Sequence, residues 1–280
     1  TAQVQVTDLE NPPTVSDPIV DLTVAEDAVN TVFDLGPVFT DPDLGLGDAL
    51  TYTATVAMPI DSLVAQVSQG SYTTLHQDLL YTHAGDNRGL GGWEHDLARD
   101  NIYSYFAGLG LQTSLEPFVY SSQTYSNVVG VHPSVTHPND IYLVGAHYDS
   151  TSNDPLSQPG ADDNASGVAA VMELARVLTQ YQFDATLVFV AFDREEQGLW
   201  GSKAYANAHA GDNILGMLSL DMIAYNIPGT GHDTVRFYDY VSGGAIKSDL
   251  AAAFAAYGGG LATLDSGQEH GSDKQDVLDQ

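Results

Sequence analysis

Apolar and polar positions follow two different periods along this chain. Val4-Gln5-Val6 alternates with a period of two until Asp8, Asn11, Pro12 and Pro13 interrupt it, which predicts a short strand and a turn. Residues 19–24, 31–35 and 50–56 are further runs rich in Val, Thr and Leu, separated by Asp, Pro and Gly, so residues 1–58 read as β structure. From residue 59 the period changes. Apolar residues recur at helical spacing over 60–69, 72–81 and 96–109. Short apolar runs then predict strands at 127–131, 141–146, 185–192, 215–220 and 235–240, with helices at 168–178, 201–210 and 244–256. Strands separated by helices of this length predict an α/β fold, a three-layer α/β/α sandwich with a mostly parallel mixed sheet. The expected domains are a small all-β segment over 1–58 and the α/β domain over 59–280.

Charge and composition narrow the function. Acidic residues number 37 against 8 basic ones, a formal charge of −29. Such a surface repels phosphate backbones and anionic headgroups, which argues against nucleic acid and membrane surfaces as partners. Acidic excess equally suits calcium coordination, a salty habitat or plain solubility. There is no cysteine, so a metal must be held by His, Asp, Glu or other oxygen ligands, and no disulfide framework exists. No apolar run reaches the roughly 18–20 residues that span a bilayer. The chain begins at Thr1 without Met, and is expected to be a piece of a longer polypeptide.

Ligands of open α/β sheets bind beyond the carboxyl ends of the strands, and metal-capable residues recur at those positions. His147 and Asp149 follow the strand at 141–146; Asp193, Glu195 and Glu196 follow 185–192; Asp221 follows 215–220. Between the first two lies a glycine-bounded acidic loop, Pro159-Gly160-Ala161-Asp162-Asp163-Asn164-Ala165-Ser166-Gly167, leading into a helix. Singly, each has an ordinary explanation: Asp-Asp-Asn before a helix is N-capping chemistry, and a Glu-Glu pair is usually a solvated face. Four such features in order, each at a strand end, converge on one site.

The segments GAHYDS (145–150), PGADDNASGVAA (159–170), AFDREEQGLWGS (191–202) and SLDMIAYN (219–226) resemble, in order, the metal-binding motifs of M28 zinc aminopeptidases. Upstream, YTHAGDNRGLG (81–91), EHDLARDNI (94–102) and YSNVVGV (125–131) are similar to the N-terminal part of that catalytic domain. The resemblance implies a phosphorylase/hydrolase-like zinc peptidase fold and a secreted exopeptidase acting on peptides or proteins with a free N-terminus. It assigns His147 and Asp221 to one zinc, Glu196 to a second, and Asp163 as the bridge. Glu195 becomes the general base, and Asp149 orients His147, as carboxylates commonly do for metal-bound imidazoles.

The family completes its second zinc with a histidine after the last core strand, a few tens of residues beyond a Ser-Asp-His-like segment. Here Gly271-Ser272-Asp273-Lys274 is similar to that segment, with Lys in place of His, and the ligand is expected beyond residue 280. His270 is a weaker substitute, and Glu269 stands where some members place an oxyanion-stabilising tyrosine. Two other readings stay open: glutaminyl cyclisation on a similar fold, and a surface scaffold with a degenerate peptidase domain. Pocket walls are sought among Phe192, Trp200, Met222 and Tyr225.

The opening TAQVQVTDLENPPTV, with Asp41-Pro42-Asp43 and Gly47-Asp48-Ala49-Leu50-Thr51-Tyr52, resembles part of a cadherin-like repeat. That implies neighbouring β repeats, an extracellular location, and calcium at Asp8, Glu10, Asp41 and Asp43.

Overall fold

The computed structural model of the chain describes residues 2–7, 14–16, 38–40, 51–56, 60–80, 87–89, 93–152, 154, 158–225, 234–239 and 244–268. The strands expected at 19–24 and 31–35, the calcium candidates Asp8, Glu10, Asp41 and Asp43, and residues 269–274 lie outside the described residues. The chain divides into two compact units, Thr1–Ser62 and Leu63–Gln280. In the first, β1 (Ala2–Thr7) pairs antiparallel with β4 (Thr51–Val56), from Ala2 opposite Val56 to Thr7 opposite Thr51. A short antiparallel pair, β2 (Thr14–Val15) and β3 (Phe39–Thr40), accompanies it.

A short helix, α1 (Ile60–Val64), precedes α2 (Gln69–Thr74), which Ser68 caps by accepting the Ser71 N–H at 3.2 Å. α2 runs on into a π-helical stretch, Leu75–Leu80. Then come α3 (Trp93–Gly108), β5 (Gln112–Tyr120), β6 (Gln123–His132), β7 (His137–His147), α4 (Ala165–Leu178), β8 (Ala185–Phe192), α5 (Trp200–Ala208) and β9 (Asn213–Ser219). These strands form one sheet in the order β5-β6-β8-β7-β9. β7 pairs parallel with β8 and β9, whereas β5–β6 and β6–β8 are antiparallel. The sheet is therefore mixed. Its antiparallel half comes from a hairpin whose first strand, carrying Glu116 and Pro117 at a sheet edge, escapes the apolar pattern. A separate parallel pair, β10 (Thr234–Asp239) and β11 (Ala262–Gln268), is joined through α6 (Gly244–Tyr257).

β8 is apolar from Leu187 to Phe192 because both of its faces are covered, and its one hydroxyl, Thr186, is satisfied by Ser134 and Pro138. Phe189 and Ala191 point into one core with Ile102 and Phe106 of α3 and Val168, Val171 and Met172 of α4. Val188, Val190 and Phe192 point into the other, with Leu143, Met217 and Tyr205 of α5. These are the three layers that the alternation predicts. Phe192 is thus core and forms no pocket wall. No helix among the described residues is long and apolar enough to cross a membrane. Because β7, β8 and β9 run parallel, their carboxyl ends open on the same edge, and the chain after each carries the residues of interest.

Candidate metal centre

His147 closes β7 and is almost fully buried. Its Nδ1 donates to the carbonyl of Asp149 at 3.2 Å, which directs Nε2 into the site. Around Nε2 stand Asp163 Oδ1 at 3.2 Å, Asp221 Oδ1 at 3.8 Å and Glu195 Oε2 at 3.9 Å. His147, Asp163 and Asp221 offer ligand atoms that all lie within 4.8 Å of one another. Glu196 lies outside that group of three.

Asp149 does more than face the histidine. Its carboxylate, fully buried, stands 3.5 Å from His147 Nδ1 and accepts the backbone N–H groups of Glu195 at 3.1 Å and Glu196 at 3.3 Å. One side chain at the end of β7 thus fixes the turn after β8. Asp193, also metal-capable from sequence, does not join the site. It is buried, accepting from Tyr148 Oη at 2.8 Å and standing 2.7 Å from His95 Nε2. Asn127 braces the same turn, accepting the Asp193 N–H at 3.1 Å and donating to the Gly201 carbonyl at 2.8 Å. The Arg194 guanidinium, buried, packs 4.0 Å from the centre of the Tyr125 ring.

The acidic loop is stitched to the loop after β9. Asn164 caps α4 by accepting the Gly167 N–H at 3.0 Å and donates Nδ2 to the Leu220 carbonyl at 2.9 Å. Asp162 Oδ1 accepts the N–H groups of Ala224 at 2.9 Å and Tyr225 at 3.1 Å, and Ser166 Oγ accepts that of Ile223 at 3.0 Å. Sequence reasoning left Asp162 without a role. It holds the segment that carries Asp221, while its neighbour Asp163 faces His147. Met222 and Tyr225, in the loop after β9, are 58% and 57% exposed, whereas Trp200, 43% exposed, opens α5 and packs on the Tyr120 ring at 5.2 Å.

So many carboxylates in one place perturb each other. Burial pushes Glu195 up to about 7, with Asp149, Asp221 and Asp163 adding to the rise and His147 opposing it. Burial likewise pushes Glu196 up to about 7, and Asp163, Asp149 and Glu195 reinforce it. Burial works against the charge of His147, yet its contacts with Asp149, Asp163 and Asp221 outweigh that and hold it well above the ordinary imidazole range. For Asp149 burial opposes ionisation, but His147, the Glu195 N–H and Arg194 prevail and hold it below the usual carboxylate value. Among the described residues, Glu196 Oε1 and Asp221 Oδ1 are buried with no hydrogen-bond partner. Buried oxygens are normally satisfied, so these two fit a cation, and an imidazole with several carboxylates is a donor set suited to zinc.

Residues 127–276 match the family model described as peptidase family M28. A probable zinc metalloprotease of Pyricularia oryzae is 34% identical over 176 residues, 57% of this chain and 35% of that protein. Aminopeptidase YwaD of Bacillus subtilis is 41% identical over 98 residues, 34% of this chain and 20% of the relative. Most of each relative's length therefore lies outside the match. Among solved structures, LapB of Legionella pneumophila superimposes with a TM-score of 0.65 at 20% identity, over 78% of this chain and 60% of that one. A glutaminyl cyclase of Porphyromonas gingivalis does so with 0.62 at 23% identity, over 76% and 80%. At these identities the superpositions establish the fold, which peptidases and cyclases share. The family model spans more than half of the chain, including all four strand-end motifs, and the chain belongs to peptidase family M28.

Proposed function

We propose that this chain is a zinc-dependent exopeptidase, an aminopeptidase that hydrolyses N-terminal residues from peptides and proteins. The observation that carries the reading is the convergence of His147, Asp163 and Asp221 within 4.8 Å of one another at the ends of parallel strands. The unpartnered Glu196 Oε1 and Asp221 Oδ1 support it. In this reading His147, Asp163 and Asp221 would hold one zinc, and Asp163 with Glu196 would serve a second. Bound zinc supplies Lewis acidity toward the scissile carbonyl and toward water.

The chain's own residues do the rest. Glu195, whose Oε2 stands 3.9 Å from His147 Nε2, takes a proton from the attacking water on its carboxylate and passes it to the leaving amine nitrogen as the C–N bond breaks. Asp149 sets where that carboxylate starts, through the Glu195 N–H. His147 keeps Nε2 free for metal because Nδ1 is engaged by Asp149.

The test is Glu195→Gln together with zinc content. Turnover of N-terminal amino-acid substrates falls by about 10²–10⁴-fold while zinc stays bound; an undiminished rate removes Glu195 from the mechanism. A peptide with N-terminal Gln separates hydrolysis from cyclisation, since release of free Gln supports the peptidase and a cyclised product the cyclase.

We further propose that the N-terminal β segment is part of a cadherin-like repeat in an extracellular protein with neighbouring β repeats. Its support is the sequence resemblance around residues 1–15 and 41–52. Calcium at Asp8, Glu10, Asp41 and Asp43 then raises the melting temperature, and Asp41→Ala abolishes the rise. A melting curve indifferent to calcium refutes the site. Recovery of the protein only from the cell interior refutes the location.

A further inference from the structure

We infer that Arg88 is a positioning residue for the metal centre, holding the acidic loop at the distance from β7 that lets Asp163 meet His147; the inference rests on the metal-centre reading above. Arg88 lies outside the stretch that matches the family model. It is 1% exposed. Nε donates to the carbonyl of Tyr148 at 3.0 Å, the residue between His147 and Asp149. Nη1 donates to the carbonyls of Leu80, at 3.1 Å, and Pro159, and Nη2 to that of Gly160 at 2.7 Å. One planar fork therefore spans the end of β7 and the start of the acidic loop, a geometry that a lysine ammonium cannot reproduce.

The backbone around Arg88 repeats the link. Its N–H donates to the Gln158 carbonyl at 3.3 Å, its carbonyl accepts from Ser150 N at 3.2 Å, and Ser150 Oγ donates to the Gln158 carbonyl at 2.5 Å. Asn87 and Gln158 form a parallel bridge. The Gly160 carbonyl also accepts the Ala165 N–H at 3.0 Å, so the arginine is tied to the first residue of α4 as well. Gly160 sits at φ +51, and a Cβ there would lie 2.2 Å from the Asp163 carbonyl and 2.9 Å from Arg88 Nη2. Gly160 is thus packed between the guanidinium and the backbone of Asp163, the residue that faces His147 at 3.2 Å. From the other side His76 Nε2 donates to the Ala161 carbonyl at 2.6 Å, so the segment before α3 grips the loop twice.

The sign of the effect separates positioning from charge. Removing a cation beside a divalent-metal site by electrostatics alone tightens metal binding; a purely structural brace leaves it unchanged. Loss of positioning weakens it, by about 10- to 100-fold where a residue orients ligands from behind.

The experiment measures the zinc dissociation constant by competition with a chromophoric chelator, with thermal melting alongside, for wild type, Arg88→Gln, Arg88→Lys, His76→Leu and the control Arg176→Gln. Arg176 ties α4 to the segment before α2 through Glu173 and the Gln66 carbonyl, away from the site. Expected is weaker zinc binding in both Arg88 variants and His76→Leu, with Arg176→Gln less stable but unchanged in zinc affinity. If Arg88→Gln does not fold, Arg88→Lys and His76→Leu decide on the same criterion. Zinc constants within threefold of wild type, or tighter, overturn the inference. A wild-type chain that takes up no zinc overturns the metal-centre reading itself, and the positioning role with it.

Discussion

Asp149→Asn tests whether one buried carboxylate organises the turn that presents Glu195 and Glu196. The wild-type oxygens each accept one backbone N–H, at 3.1 and 3.3 Å. Asparagine keeps the shape but has only one oxygen, so an amide NH2 must face one of those N–H groups. One hydrogen bond to a charged acceptor is lost, and a buried donor is left opposed to another donor. Together these cost about 2–4 kcal/mol. Relief of repulsion works the other way, because Asp149 is among the charges that push Glu195 and Glu196 up. The direction of its own shift decides between the two. Asp149 ionises more readily than an ordinary carboxylate despite full burial, so the fold favours its charge overall. A net loss of about 2 kcal/mol follows, or a melting temperature lower by roughly 4–8 °C for a domain of this size. The assay is urea unfolding of both proteins in chelator, so that zinc contributes nothing to the difference. A variant as stable as wild type, or more so, refutes the reasoning.

Three other outcomes are accessible. Gly201→Ala places a Cβ 2.2 Å from the Asp193 carbonyl and 2.4 Å from Asn127 Oδ1, so it costs about 3 kcal/mol or more in unfolding free energy; a loss under 1 kcal/mol contradicts the close approach. Asp162→Ala frees the Ala224 and Tyr225 N–H groups and loosens the segment carrying Asp221. Zinc affinity then falls about tenfold or more and Asp162→Asn restores most of it, whereas an unchanged constant removes Asp162 from the site's support. His209, at the end of α5, is pushed up to about 9 by its hydrogen bond to Glu116, with burial opposing and Asp212 assisting. Because the folded value is above the unfolded one of about 6.5, its stabilisation is complete below pH 6.5 and is lost as pH rises through 9. Tyr205, stacked on it at 4.1 Å, is also raised and stays neutral across that window. Allowing for partial exposure, the contribution is about 2 kcal/mol. His209→Gln should flatten the fall in stability between pH 6 and 10 by that amount, and an unchanged slope contradicts the assignment.

Much of this was legible in the sequence because apolar period and strand-end chemistry coincide. The run 185–192 is read to the residue, since a strand buried on both faces is almost wholly apolar, as here with Thr186 the one exception. β5 was hidden for the opposite reason: an edge strand with Glu116 and Pro117 carries little apolar signal. β11, Ala262–Gln268, was hidden too: its mix of Ala, Thr, Asp, Ser and Gly gives the pattern nothing to follow.

The neighbouring acids show where spacing alone stops. Along β7 the period of two puts His147 and Asp149 on the side opposite Tyr148, whose ring is buried in the core, so that pair can be read from sequence. The same rule applied after β8 would place Asp193 and Glu195 together. It fails because Arg194 takes a left-handed backbone, φ +59, which turns the chain between them. Asp193 then falls inward to His95 and Tyr148, and Glu195 swings to the site. Nothing in Asp-Arg-Glu-Glu announces that turn, since arginine is not a residue that favours it. Tertiary contacts set it: Asp149 holds the two N–H groups beyond, Asn127 the one before, and the Tyr125 ring takes the displaced guanidinium. A sequence motif can therefore name which acids a site uses only where the backbone stays regular. Where it bends, the residues that bend it decide which of two neighbouring carboxylates faces the site.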